Sequence, residues 1–393
     1  MAYHALTLGA DVAARVRAGL RDLPIGAVAG ARDREAGQPL RLLDAAGAPI
    51  ALGIADPENE LCRVYALADE PYQALDARFF RDRVERALAL RRAFGLDRAR
   101  TAHRVLHGAG DSVPGLTADV YGDHAVLCAY SRGLLGFGRL CAEALRERAG
   151  VRGVALKLRS RDAAPSNKFK QEAIGEAIPE RFVAVEDDLR FEVHLPAALN
   201  VGLFTDMREH RARLARFCRG RRVLNQFCYT ASLSVVAARA GAREVVSVDL
   251  AHGVLKWARE NFRLNGLDDG AHRFIAEDVT AYLKRAAREG ERFDLAIVDP
   301  PTVSAARAAT WTMRRDYPDL IQRTCAVLAP DSLLWLSANA RELGSLVELA
   351  QRAFEQAKRS AQLLEVGGLP PDYPTLPAQP ADRYLQLCLF RVD

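Results

Sequence analysis

Lysine is scarce in this chain, standing only at positions 157, 168, 170, 256, 284 and 358. Arginine carries most of the positive charge, for a formal net charge of +5 and a pI near 8.9. That mild excess is weak support for a polyanionic partner, and genome base composition would produce the same bias. Long apolar runs are also missing. None reaches the roughly 18 residues needed to cross a bilayer, so no membrane partner is expected. The opening MAYHALTLGADVAARVRAGL has no apolar stretch behind a basic start. It therefore does not read as a secretory signal, and the cytoplasm is the expected location. The seven cysteines (Cys62, Cys128, Cys141, Cys218, Cys228, Cys325 and Cys388) are odd in number and never spaced CxxC. Several sit in strand-like runs such as VLCAY and LQLCLFRV. They read as reduced, buried thiols, which excludes a disulfide frame and leaves no metal site expected. The absence of GxGxxG argues against a nicotinamide-dependent enzyme.

What is present is 393 residues, 49% hydrophobic and 27% charged, the balance of a soluble globular protein. That length suggests two or three domains of roughly 100–200 residues each. Residues 1–75 hold alternating runs, RLLDAAGAPIALGIAD and ELCRVYAL, punctuated by Gly and Pro, and predict a small β-rich domain. Residues 76–195 open on DARFFRDRVERALALRRAF, with apolar residues at helical spacing and a dense basic face. That face reads as a solvated surface or as a phosphate-binding one. RVLHGAGDSVPGLTADVYGDHAVLCAYS then reads as strand, turn and hairpin, with the tight turn at Tyr121-Gly122-Asp123. A helix over 134–148 and strands over 154–158 and 182–195 complete a small mixed α/β domain.

Residues 196–393 are regular. Helical segments alternate with apolar strands VLNQFCY (223–229), EVVSVDL (244–250), RFIAED (273–278), FDLAIVDPP (293–301) and LLWLSANA (333–340). Such alternation predicts a parallel sheet covered on both faces. AQLLEVGGL (361–369) and RYLQLCLFRV (383–392) follow as a candidate antiparallel edge hairpin. Ligands of open α/β sheets bind beyond the carboxyl ends of the strands. Those ends carry Phe227-Cys228-Tyr229-Thr230-Ala231-Ser232, then Asp249, then Glu277-Asp278-Val279, then Asp299-Pro300-Pro301-Thr302. A carboxylate at the second end can accept from two ribose hydroxyls, and one at the third can accept from an adenine amino group. Each aspartate alone is commonly a turn former or helix cap. The two prolines stop both ladder and helix and fix an exposed loop whose carbonyls can face a flat base.

With these residues in view, positions 202–341 resemble bacterial ribosomal RNA large-subunit methyltransferases. The matching text is GLFTDMREHR, VLNQFCYT, VVSVD, KWARENFRLNGL, HRFIAEDV and FDLAIVDPPT. HGAGDSVPGLTADVYGD resembles that family's middle domain, and DYPTLPAQPADRYLQLCLFRV its closing hairpin. The first 75 residues occupy the place of its RNA-binding PUA domain, although DLPIGAVAG replaces the aromatic signature. The resemblance implies an α/β fold: a seven-stranded Rossmann-like class I methyltransferase domain behind PUA-like and mixed α/β domains. It implies S-adenosylmethionine (SAM) as cofactor, 23S ribosomal RNA as partner, and a homodimer. It further implies that Thr205, Asp206 and Arg208 lie near SAM, and that Phe227, Tyr229, Thr230 and Ala231 line its loop. Asp249 would hold the ribose, Asp278 the adenine, and Asp299 would sit beside the methyl group. The family has glycine after Tyr-Thr where this chain has Ala231-Ser232. Alanine can stand in only if φ stays negative.

The target atom divides the family. Cytosine carbon-5 needs a cysteine thiolate to attack carbon-6, followed by a base. One branch carries that cysteine in a Ser-Cys-Ser run, where this chain has Ser337-Ala338-Asn339-Ala340-Arg341. Cys228, in the cofactor loop, should face the adenosine or the core, and Cys325, in the apolar run IQRTCAVL, reads as a core residue. The guanine-N7 branch carries Ser-Asn-Asn-Lys-Arg and needs neither nucleophile nor base, because nitrogen-7 has a free lone pair. This expectation makes Asp299, Pro300, Thr302 and Asn339 the acceptor-side residues, with Arg341 on a phosphate or base edge. Asn339 also reads as a cap for a helix starting near Arg341. Cytosine-C5 methylation, a small-molecule methyltransferase and a non-catalytic RNA-binding assembly factor are the competing readings.

Overall fold

A computed structural model describes residues 3–96, 102–159, 171–196, 200–267, 270–301, 303–304, 311–341 and 343–393. The chain divides into two units. Met1–Asp187, Val193–Val201 and Pro370–Asp382 form the first; Asp188–Glu192, Gly202–Leu369 and Arg383–Asp393 form the second.

In the first unit, strands His4–Thr7, Asp22–Pro24, Pro39–Leu43, Pro49–Asp56 and Leu61–Leu67 make one sheet. Their alternating apolar residues close a core with helix Ala10–Arg17 through Leu6, Val16, Leu40, Leu42 and Val64. A second sheet joins Ala102–His107, Leu116–Tyr121, His124–Ala129, Gly153–Leu158 and Gln171–Gly175. Its central hairpin turns at Gly122-Asp123, with Tyr121 opposite His124. Helices Ala77–Ala93 and Leu135–Ala149 contribute Phe79, Phe80, Val84, Phe137 and Cys141 to the core beside that sheet. Asp76 caps the first helix by accepting from Phe79 N at 3.0 Å.

The helix's basic face is not wholly solvated. Arg83 and Arg91 are buried, the first on Glu70 and the second on Asp111 at 2.6 and 2.8 Å. Pro370–Asp382 completes this unit from the far end of the chain. Asp372 O accepts from Arg91 at 2.6 Å, and Tyr373 lies 4.4 Å from the Arg104 guanidinium. Gln379 Oε1 accepts from the amides of Arg21 and Asp22 at 2.7 and 3.0 Å.

The second unit is built on β1 (Arg222–Gln226), β2 (Glu244–Asp249), β3 (Arg273–Ala276), β4 (Phe293–Val298), β5 (Leu328–Asn339), β6 (Ala361–Gly367) and β7 (Leu385–Val392). Their order is 3-2-1-4-5-7-6, with the first five parallel and β7 antiparallel to β5 and β6. The helices are α1 (Arg208–Ala215), α2 (Ser232–Arg239), α3 (His252–Leu264), α4 (Val279–Arg288), α5 (Met313–Cys325) and α6 (Leu346–Ala357). Leu224, Val246, Val298, Leu334 and Leu336 bury the sheet against Tyr282, Ile321 and Leu349. Strand order reverses at β1, which opens the crevice between the carboxyl ends of β1 and β4.

Three expectations change. Residues 182–195 hold two strands, Phe182–Glu186 and Leu189–Val193, paired in a sheet of their own, because the chain turns at Asp187 (φ +56°). β1 ends at Gln226, so Phe227–Tyr229 belong to the loop. The last long helix starts at Leu346, where Ser345 Oγ accepts from Glu348 N at 3.2 Å. Asn339 is therefore the final residue of β5 and not a helix cap. No helix among the described residues is long and apolar enough to cross a membrane.

Candidate active site

After Gln226 the chain must leave the sheet and enter α2 within a few residues. It does so through alternate left-handed residues: Phe227 (φ +56°), Tyr229 (φ +49°) and Ala231 (φ +62°). Cys228 N donates to Val248 O at 3.0 Å, and Ala231 N to Cys228 O at 2.7 Å. Thr230 Oγ1 donates to Gly202 O at 2.5 Å, and Asn261 Nδ2 to Thr230 O at 2.9 Å. These contacts over-determine the loop and hold its strain. Ala231 thus departs from the negative φ expected of it. The turn demands the conformation that glycine adopts freely, and a non-glycine residue there costs about 1 kcal/mol.

Asp249 closes the loop from β2. Its Oδ2 accepts from Tyr229 N and its Oδ1 from Ala251 N, both at 3.0 Å. A carboxylate has about four acceptor positions, so capacity remains for a diol. Phe204, Tyr229 and Trp257 make an aromatic row, with centroids 5.4 and 6.1 Å apart. Asp278 caps α4, its Oδ1 accepting from Ala281 N at 3.0 Å.

At the end of β4, Asp299 accepts from Ser337 Oγ at 2.6 Å. Burial pushes its carboxyl up to about 6. Ser337 pulls the value down, the negative charge of Asp206 raises it, and Arg211 lowers it. Pro300 is buried and Pro301 exposed. Asp206 lies on the turn Thr205–Met207 and accepts from Tyr384 Oη at 3.0 Å. Thr205 and Arg208 are buried beside it in sequence, and Arg208 pairs with Glu209 at 2.8 Å.

The structure therefore brings Tyr229, Thr230, Ala231 and Asp249 into one loop, and Asp206 into the electrostatic field of Asp299. Asp278 stands at the head of α4 as its cap. Asn339 is exposed at the tip of β5, and Arg341 is exposed beyond it. Thr302 lies outside the described residues. Sequence reasoning missed Ser337, Tyr317, Tyr384 and Asn261. Ser337 had a signal, since it heads the Ser-Ala-Asn-Ala-Arg run; the others act through contacts distant in sequence.

All seven cysteines are free and buried. Burial pushes Cys325 up to about 11 and Cys228 well above its ordinary value. The donor set suits a ligand with a diol, a flat base and a positive charge: spare carboxylate acceptors, aromatic rings and a second carboxylate. SAM has all three features.

Comparison with known proteins agrees. The family model for S-adenosylmethionine-dependent methyltransferases matches residues 142–391. The ribosomal RNA large subunit methyltransferase of Deinococcus radiodurans is 31% identical over 339 residues, 84% of this chain and 83% of that one. Ribosomal RNA large subunit methyltransferase K of Neisseria meningitidis serogroup B is 37% identical over 235 residues, 57% of this chain and 65% of its own length. The crystal structure of SMU.776 complexed with SAH superposes with a TM-score of 0.87 at 25% identity, covering 99% of this chain and all of that one.

Proposed function

The chain belongs to the S-adenosylmethionine-dependent methyltransferases, and from that premise we propose that it methylates a base of large-subunit (23S) ribosomal RNA, at guanine N7. The RNA target draws support from the names of the relatives and from the middle-domain text. One observation carries the choice of atom: every cysteine is buried with its thiol unactivated, and Ala338 stands where one branch of the family carries its nucleophile. Cytosine carbon-5 chemistry lacks its thiolate here.

Bound SAM supplies a methyl carbon activated by a sulfonium, so the protein chiefly supplies proximity and alignment. Asp249 would hold the ribose hydroxyls on its remaining lone pairs, and the rings of Phe204 and Tyr229 would supply an apolar wall for the adenosine. Asp299, mostly ionised at neutral pH, favours cationic charge at the end of β4. Pro300 and Pro301 hold a stiff ledge, and Asn339 offers an amide to the base edge. Guanine N7 forms the new C–N bond with its own lone pair while the C–S pair returns to sulfur. No proton is lost at N7, so no general base is required.

The test is mass mapping of 23S RNA from a deletion strain complemented with wild-type protein or Asp299→Ala. One 7-methylguanine should vanish on deletion and return only with wild type. Loss of a 5-methylcytosine with every 7-methylguanine retained would sink the guanine assignment. The same reading divides the chain into a PUA-like RNA-binding part (1–75), a middle part (76–195) and the catalytic part (196–393), acting as a cytoplasmic homodimer. The separate sheet within residues 4–67 supports the first boundary. Unchanged RNA affinity after deletion of residues 1–75 would remove the RNA-binding role.

A further inference from the structure

The Asp-Pro-Pro turn creates a backbone problem that the Tyr317 hydroxyl answers. The last register pair of β4 and β5 is Val298 with Leu336. Beyond it, Pro300 and Pro301 have no N–H to extend the ladder, so nearby carbonyls need other donors. Tyr317 of α5 is fully buried and brings its hydroxyl to 3.0 Å from Val298 O and 2.8 Å from Ser337 O. One hydroxyl, its single proton shared between the two carbonyls, thus bridges the end of β4 to β5. The backbone of Ser337 is also fixed from the other side by its pairing with Leu387 of β7. From this frame its Oγ donates to Asp299 Oδ1 at 2.6 Å.

We propose that Ser337 is a positioning residue for methyl transfer, orienting the Asp299 carboxylate from a backbone that Tyr317 holds in place. The proposal rests on the reading of Asp299 as the carboxylate beside the methyl donor. A hydroxyl donated to a carboxylate favours its charged form, whereas burial disfavours it. Asp206 raises the Asp299 pKa, and Arg211 lowers it. Tyr317 is neutral, its own hydroxyl pushed well up by burial. Ser337 is thus the neutral contact that both aims the carboxylate and keeps it ionised. Without it, the carboxyl protonates at higher pH and loses its fixed direction.

The experiment follows the Asp299 carboxyl by carbon-13 NMR in full-length, ligand-free protein, with Asp299→Asn assigning the signal. In parallel, SAM binding is measured by calorimetry across the same pH range. Wild type should titrate near 6. Ser337→Ala should titrate about one pH unit higher and lose SAM affinity over the same raised window. Ser337→Thr keeps the hydroxyl on a residue suited to a strand and should restore both. Ser337→Cys, a weaker donor of similar shape, should fall between them and serves if the alanine variant does not fold. An unmoved midpoint in Ser337→Ala overturns the proposal. So does SAM affinity reduced equally at every pH, the result of lost packing alone. If wild type binds no SAM while the NMR midpoint still moves, the donor-site reading of Asp299 has failed, and the positioning role of Ser337 in methyl transfer falls with it.

Discussion

In the first unit, Arg63 meets Asp22 and Asp56, Arg91 meets Asp111, and Arg104 meets Asp119, each cation largely withdrawn from water. At the strand ends of the second unit Glu277 pairs with Arg285 at 2.8 Å, but Asp249 and Asp299 meet neutral donors. A serine hydroxyl holds Asp299 and two backbone amides hold Asp249; neither has an ion pair among the described residues. The two arrangements do different work. An ion pair cancels charge in place and makes both partners structural, so removing either strands the other. A neutral donor orients a carboxylate and leaves its charge for something else. The second unit has architectural pairs of its own, Arg222 and Arg273 sharing Glu244 and Glu291, but Asp249 and Asp299 stand apart from them and keep their charge for chemistry.

The sharpest way to break this contrast is Arg91→Met. Asp111 would be left buried without its guanidinium, and Asp372 O and Arg104 O would each lose a donor. The expected loss is about 3–5 kcal/mol, read from urea unfolding. A cost under about 1 kcal/mol would remove the structural role assigned to the pair.

Asp299→Asn should act in the opposite direction. Its carboxyl titrates near 6 in the fold against an ordinary 3.8, so the folded state holds the extra proton between those values. Stability from this group is therefore greatest at low pH and falls as pH rises through that window. The asparagine variant escapes the fall and should gain about 1–3 kcal/mol at pH 7 while losing methyl transfer about 100-fold or more. Paired unfolding curves at about pH 4.5 and 7, with turnover, check both halves.

Asp249→Ala should weaken SAM binding about 10–100-fold by calorimetry, because the amides of Tyr229 and Ala251 lose their acceptor along with the ribose contact. The smallest effect belongs to Ala231→Gly. Relief of its φ of +62° should add about 1 kcal/mol of stability with SAM affinity near that of wild type. A loss of stability would mean that the alanine methyl, fully buried, contributes more packing than its backbone costs.

Much of the second unit was legible because parallel strands announce themselves as apolar runs and their functional residues follow at the carboxyl ends. Asp249 and Asp299 stand where that logic puts them. The sign of φ at Ala231 was not legible, because it depends on Asp249 and Val248 pulling the loop tight, and neither is a neighbour in sequence. Arg83 and Arg91 were read with the helix's basic face. Hydropathy scores a side chain without its partner, and Asp372, one of the residues that bury Arg91, stands 281 positions away. Ser337 was visible as a letter, but its bond to Asp299 joins two strands.

Pro370–Asp382 has a consequence in time. A ribosome releases residues in order, so Arg91 emerges long before Asp372, and Arg21 long before Gln379. The first unit must wait with these partners absent until residues 370–382 have been made. A nascent chain stalled before residue 370 carries a first unit that lacks its final piece, whatever the state of the sheet still emerging behind it.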